Sequence, residues 1–228
     1  TPKAMVLAAA VPVLSWSASA QTVYWNFGAD STSSASPISS MATNVLASAV
    51  SQGNNNGTTP LLTSSSASSG YTGASGSFNA GVAARTGALN TNAAGSAYFE
   101  FSLQPDAGYV LSVTNLSFGA RRTSTGPQTF CLRSSQDGYG SDLATGTLSA
   151  DSTWALKSVA PTFMSSEPGA LITFRIYGFN GAGSPGANTA NWRIDDLSVE
   201  ALAVEPGTTS PPVVSPVAAQ AVRVGQTL

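Results

Sequence analysis

Two carboxylates stand side by side in Asn191-Trp192-Arg193-Ile194-Asp195-Asp196-Leu197-Ser198-Val199. Trp192, Ile194 and Asp196 alternate with Arg193, Asp195 and Leu197, which is strand periodicity. Asp is depleted in strands because its short side chain favours turns and caps. In a regular strand successive side chains face opposite ways, so Asp195 and Asp196 are expected to point apart. Whichever points inward needs a cation or a hydrogen-bond donor. Carboxylates that point apart cannot flank one glycosidic bond, so the pair is a poor acid/base couple. Asp137 and Asp142 are the other conceivable couple, but they sit in a turn-like stretch. No catalytic residue is assigned.

A second constellation is cationic and aromatic. Arg121, Arg133, Arg175 and Arg193 all fall in strand-like runs. In a regular strand Arg175 shares a face with Tyr177 and Phe179, and Tyr139 follows the Asp137-Gly138 turn. Guanidinium forks can bond sugar hydroxyls while an aromatic plane meets the apolar face of a sugar ring. The expected ligand-binding residues are therefore Arg121, Arg133, Arg175, Tyr177 and Tyr139. The plainer alternative is a solvated sheet face with arginine stems packed flat and one Arg–Asp pair. Trp25, Trp154 and Trp192 are expected in the core.

The rest of the composition removes whole classes of function. The 228 residues include no histidine and one cysteine, Cys131. That excludes Ser-His and Cys-His dyads, the usual zinc sites and any disulfide within the chain. Only 9% of residues are charged and the net charge is −2, which gives no footprint for nucleic acid. A hydrophobic fraction of 42% still supports a packed core.

Residues 1–20 read as a signal peptide: Lys3, an apolar run to Trp16, and Ser17-Ala18-Ser19-Ala20 as the cleavage site. The apolar run is short for a membrane span. Export without disulfides suits a bacterial secreted or cell-surface protein.

The elements that must position these residues read as strands over 22–27, 97–103, 109–118, 129–134, 153–159, 171–179 and 192–201. Turn residues separate nearly all of them. Irregular strands are expected near 61–62 and 81–85, and the best helical spacing lies over 38–50. This pattern predicts an all-β jelly-roll β-sandwich of two antiparallel sheets over residues 21–202. Residues 203–212 read as a Pro/Thr linker and 213–228 as the start of an immunoglobulin-like or cadherin-like repeat, so further domains of the same polypeptide are expected after Leu228.

Four pieces occur in a telling order: Tyr24-Trp25-Asn26-Phe27, Phe130 to Gly138, Ile172 to Gly178, and Asn191 to Leu197. Together they resemble the jelly-roll modules of large bacterial secreted and surface proteins, similar to galactose-binding-like carbohydrate-binding domains and the MAM adhesion domain. The resemblance implies an exported, non-catalytic module that binds an extracellular glycan or mediates adhesion. A bare structural spacer and the accessory domain of a secreted hydrolase are the alternatives. It also implies a structural calcium ion on the closing strand, with Asp195 or Asp196 as ligands and Asn26 or Asp30 near the first strand. The competing reading pairs one of these aspartates with an arginine and leaves the other in solvent.

Overall fold

Alternation decides the architecture. In the computed structural model, residues 20–28, 35–36, 39–40 and 42–206 are described. Asp30, residues 1–19, and 207–228, which hold most of the expected linker and the expected repeat, lie outside them. The described residues form fourteen strands in two antiparallel sheets, an all-β jelly-roll sandwich.

The eight-stranded sheet contains β1 (Gln21–Trp25), β2 (Ser39–Ser40), β5 (Leu62–Thr63), β6 (Asn79–Val82), β8 (Val110–Arg122), β11 (Ala155–Val159), β12 (Phe163–Met164) and β14 (Trp192–Val204). The six-stranded sheet contains β3 (Val45–Ala47), β4 (Ser51–Gly53), β7 (Tyr98–Pro105), β9 (Thr129–Ser134), β10 (Ala144–Thr147) and β13 (Ile172–Phe179).

One residue in two along each long strand faces the space between the sheets. Phe99, Phe101 and Leu103 of β7 meet Ile172, Phe174 and Ile176 of β13 there, and all six are buried. Phe101 stacks on Phe174 with centroids 5.5 Å apart, and Phe99 meets Trp192 of the other sheet edge-on at 4.8 Å. Each such ring removed from water contributes roughly 1.5–3 kcal/mol. Trp25 and Trp192 lie in the core, as expected, whereas Trp154 is buried outside the core cluster, where its Nε1–H bonds the Ser66 carbonyl at 2.9 Å.

Several boundaries differ from the sequence expectation: β8, expected to end at 118, runs to Arg122, and β10 and β12 were not expected. The helical spacing over 38–50 is not realised: β2 and β3 occupy the segment, and Asn44 at φ 62° turns the chain between them. Leu46 is 66% exposed, so the apolar residues there never shared one face. β14 also runs on to Val204, which pairs with Val110, so the first two residues of the expected linker belong to the sheet.

The decisive irregularity lies in β14. Asp195 pairs with Gly119, but Ser198 pairs with Ser117, so three steps on β14 oppose two on β8. This is a β-bulge. On its other edge β14 pairs with β6 over Trp192–Ile194 and with β1 over Leu197–Ala201. The bulge therefore falls where one edge partner gives way to the next. Asp196 carries the strain at φ 51°, a left-handed conformation that Asp tolerates better than most residues.

Candidate functional site

The bulge overturns the expectation that the two aspartates point apart. Ile194 and Leu197 are both fully buried in the core, three residues apart. The two residues between them are thus both carried on the outer side of the sheet. A loop from β5 to β6 covers them, and Asp195 is fully buried and Asp196 nearly so. Neither is solvated, and neither bonds an arginine. Tyr24, one strand away on β1, donates its hydroxyl to Asp196 Oδ1 at 2.5 Å. Tyr71 donates to Asp196 Oδ2 at 2.6 Å, and the Ser75 N–H reaches the same oxygen at 3.1 Å. Ser75 Oγ bonds Asp195 Oδ2 at 3.1 Å, and the Asp196 N–H closes back on Asp195 Oδ1 at 2.8 Å.

These contacts set the protonation. Burial, reinforced by the neighbouring Asp196 charge, pushes the Asp195 carboxyl up to about 7, against weaker opposition from Ser68 and Ser75. Burial and then the Asp196 hydrogen bond push both Tyr24 and Tyr71 well above the usual phenol range, so they stay neutral donors. Asp196 is the acceptor hub, and Asp195 is an acid that keeps its proton to near neutrality.

A calcium ion takes six to eight oxygens. Here all four carboxylate oxygens already accept O–H or N–H donors. Asn26 Oδ1 accepts the Gly28 N–H at 2.9 Å. Among the described residues no three His, Cys, Asp or Glu side chains converge. Donors from within the chain thus engage both aspartates and Asn26, and Asp30, the remaining expected calcium ligand, lies outside the described residues.

The space for Tyr71 comes from Gly119, opposite Asp195: a Cβ there would overlap the Tyr71 hydroxyl. Gly119→Ala should expel that hydroxyl from Asp196 and cost about 1–3 kcal/mol of stability. In a Tyr71→Ala background the same change should cost almost nothing. Thermal melts of the two singles and the double check this, and additive losses would refute it.

The arginine expectation divides between the two sheets. Arg133 and Arg175 are directly paired neighbours on β9 and β13. They lie on the outer face of the six-stranded sheet with Tyr177. Arg121 lies on β8 of the other sheet, where its Nε–H bonds the Ser152 carbonyl at 2.8 Å. It takes no part in the first cluster.

That first cluster is tightly organised. The Arg175 guanidinium lies 4.3 Å from the Tyr98 ring centroid and 4.0 Å from that of Tyr139. Its Nε–H donates to Glu100 Oε2 at 2.6 Å and Nη1 reaches the Tyr177 hydroxyl at 3.1 Å. Arg133 donates to Asp142 at 2.5 Å and to the Tyr139 carbonyl at 2.7 Å. Tyr139 is half-buried, whereas Tyr177 is completely covered and serves as support. Tyr98 and Glu100 were not singled out from the sequence, although alternation in β7 puts both opposite the core-facing Phe99 and Phe101. Asp142 and Asp137 do structural work: Asp142 holds Arg133. At Asp137, slight desolvation is outweighed by bonds from Ser141 and Gly140, which keep its carboxyl below the usual range.

No family model matches the chain, and no curated protein matches it. Among solved structures it is similar to the K3 cleaved adhesin domain of Lys-gingipain from Porphyromonas gingivalis w83, with 13% identity over 58% of this chain and 79% of that one, TM-score 0.34. It is also similar to a carbohydrate binding module of Cellvibrio mixtus lichenase 5A in complex with cellotriose, with 11% identity, 67% and 95% coverage and TM-score 0.34. A family 35 carbohydrate binding module from Clostridium thermocellum matches at 13% identity, 79% and 98% coverage and TM-score 0.34. The assignment to the β-sandwich class rests on the two sheets described above. No helix among the described residues is long and apolar enough to cross a membrane.

Proposed function

We propose that this chain is an exported, non-catalytic glycan-binding module whose platform is the outer face of the six-stranded sheet around Arg175. The observation that carries the reading is the guanidinium held between the Tyr98 and Tyr139 rings. Stacking fixes both the cation and the rings, so little side-chain freedom is lost when a ligand arrives. A tyrosine ring offers an apolar plane with a polar edge, which suits the two-faced surface of a pyranose. Arg175 is neutralised by Glu100 and Arg133 by Asp142, so the platform carries no net charge and suits a neutral polysaccharide. The same pairing argues against catalysis, since a general acid needs a carboxyl free to hold its proton.

Affinity electrophoresis through gels containing neutral polysaccharides tests this. Wild-type protein should be retarded by at least one of them, and Tyr139→Ala or Arg175→Ala should weaken retention about tenfold or more. Tyr139→Ala should keep a near-wild-type melting temperature, which separates binding from folding. If no neutral polysaccharide retards the wild type, the platform reading fails and the structural spacer takes its place.

A further inference from the structure

Arg121 and Arg193 face each other directly across β8 and β14. Their strand neighbours Ala120, Trp192 and Ile194 are buried in the core, so the two arginines lie on the outer face of the eight-stranded sheet. Side chains directly opposite on antiparallel strands have Cβ atoms about 5 Å apart, and like charges there repel. Such a pair normally has a carboxylate between its members. Here neither arginine makes an ion pair among the described residues, and the two ion pairs found both lie on the other sheet.

The donor inventory is largely unspent. A guanidinium has five N–H groups. Arg121 uses only Nε, on the Ser152 carbonyl. Arg193 uses only Nη1, on Asn79 Oδ1 at 3.1 Å, and its Nε is buried with no partner at all. Burial, and then the Arg121 charge, draw the Arg193 guanidinium below its usual value. The nearest acid on the strand, Asp195, is committed to Ser75 and the Asp196 backbone.

Both arginines open into clefts. Arg121 lines one of about 550 Å³ with Ser66, Ser69, Ser152 and Thr153. Arg193 lines one of about 270 Å³ with Thr63 and Asn188. Ser66 and Thr63 belong to one stretch of chain, so the clefts flank the same loop. Hydroxyl-lined clefts with unspent guanidinium donors suit a hydroxylated anion.

We propose that Arg121 and Arg193 form a binding site for the acidic groups of an anionic polysaccharide, carboxylate or sulfate. The site is separate from the neutral Arg175 platform and takes from the glycan-binding reading only the class of polymer. Two guanidinium groups in a chain of net charge −2 give too small a field to gather a nucleic acid, whose binding rests on many phosphate contacts.

The test is affinity electrophoresis of the full chain against polygalacturonate, dextran sulfate and neutral dextran, at about 0.02 M and about 0.3 M NaCl. Wild type and Tyr139→Ala should both be retarded by one acidic polymer at low salt and released at high salt. Which polymer retains them identifies carboxylate or sulfate as the group bound. The double variant Arg121→Gln/Arg193→Gln should lose at least about tenfold of that affinity. Its melting temperature should equal or exceed that of wild type, because a like-charge repulsion is gone. If the double variant fails to fold, Arg121→Gln alone gives the same readout. Binding of any neutral polysaccharide at the platform should be unchanged in these variants, so failure here and failure of the platform are told apart. Absence of retention on both acidic polymers at low salt, or retention untouched by the glutamines, would overturn the proposal.

Discussion

Asp196→Ala should lower the thermal midpoint by about 10 °C. Three donors lose their acceptor at once: the hydroxyls of Tyr24 and Tyr71 and the N–H of Ser75. A buried donor left without a partner costs about 1–3 kcal/mol. Alanine at φ 51° adds about 1 kcal/mol of backbone strain. With each donor at the low end of that range the sum is about 4 kcal/mol, and a domain of this size loses roughly 2–4 °C per kcal/mol. Asp196→Gly separates the contributions, because glycine accepts the left-handed backbone yet still removes the carboxylate. It should recover only the strain, and most of the drop should persist. Tyr24→Phe and Tyr71→Phe should each cost less than Asp196→Ala, since each deletes a donor together with its bond. A drop of under about 2 °C for Asp196→Ala would mean that water replaces the carboxylate and that the hub holds nothing together.

The second large effect is on pH. Asp195 ionises near its ordinary value of 3.8 when unfolded but at about 7 when folded. Between these values the folded chain keeps a proton that the unfolded chain releases. Stability therefore falls as pH rises through that window and levels off above it. The full loss is on the order of 4 kcal/mol. Asp195→Asn imitates the protonated acid: its oxygen can accept the Asp196 N–H and its amide can donate to Ser75. Its midpoint should be flat between about pH 5 and pH 8, and above pH 7 it should match or exceed wild type. Asp137 and Asp151, both held below the usual carboxylate range, act in a lower window, where stability is lost as pH falls. Melts at intervals of about half a pH unit resolve the two slopes. Calcium chloride and chelator should leave the midpoint where it is. A calcium-dependent rise, or a wild-type curve flat from pH 4 to pH 7, would replace the buried proton with an ion.

Much of the fold was legible because the physics of a sandwich is local. Apolar side chains at every second position, bounded by Gly and Pro turns, mark β7, β9 and β13 nearly to the residue. The segment 38–50 misled because four apolar residues at helical spacing are weak evidence in a stretch rich in Ser and Ala. Within one strand, parity places Arg175 beside Tyr177, and the structure agrees. Parity does not say which sheet a strand joins. Arg121, Arg133 and Arg175 looked equivalent in sequence, and strand pairing sent Arg121 to the opposite sheet beside Arg193.

The sequence by itself determined an all-β chain, a histidine-free chemistry, and a closing strand that places two acids inside a core-forming run. Those follow from residue types and from a period of two. Only the tertiary structure decided what the two acids do. Strand β14 changes partner from β6 to β1 between Ile194 and Leu197, and the extra residue of the bulge swings both carboxylates to one side. There a loop from far along the chain brings Tyr71 and Ser75 to meet them. A bulge depends on the registers of three strands at once, and no stretch of one strand contains that information.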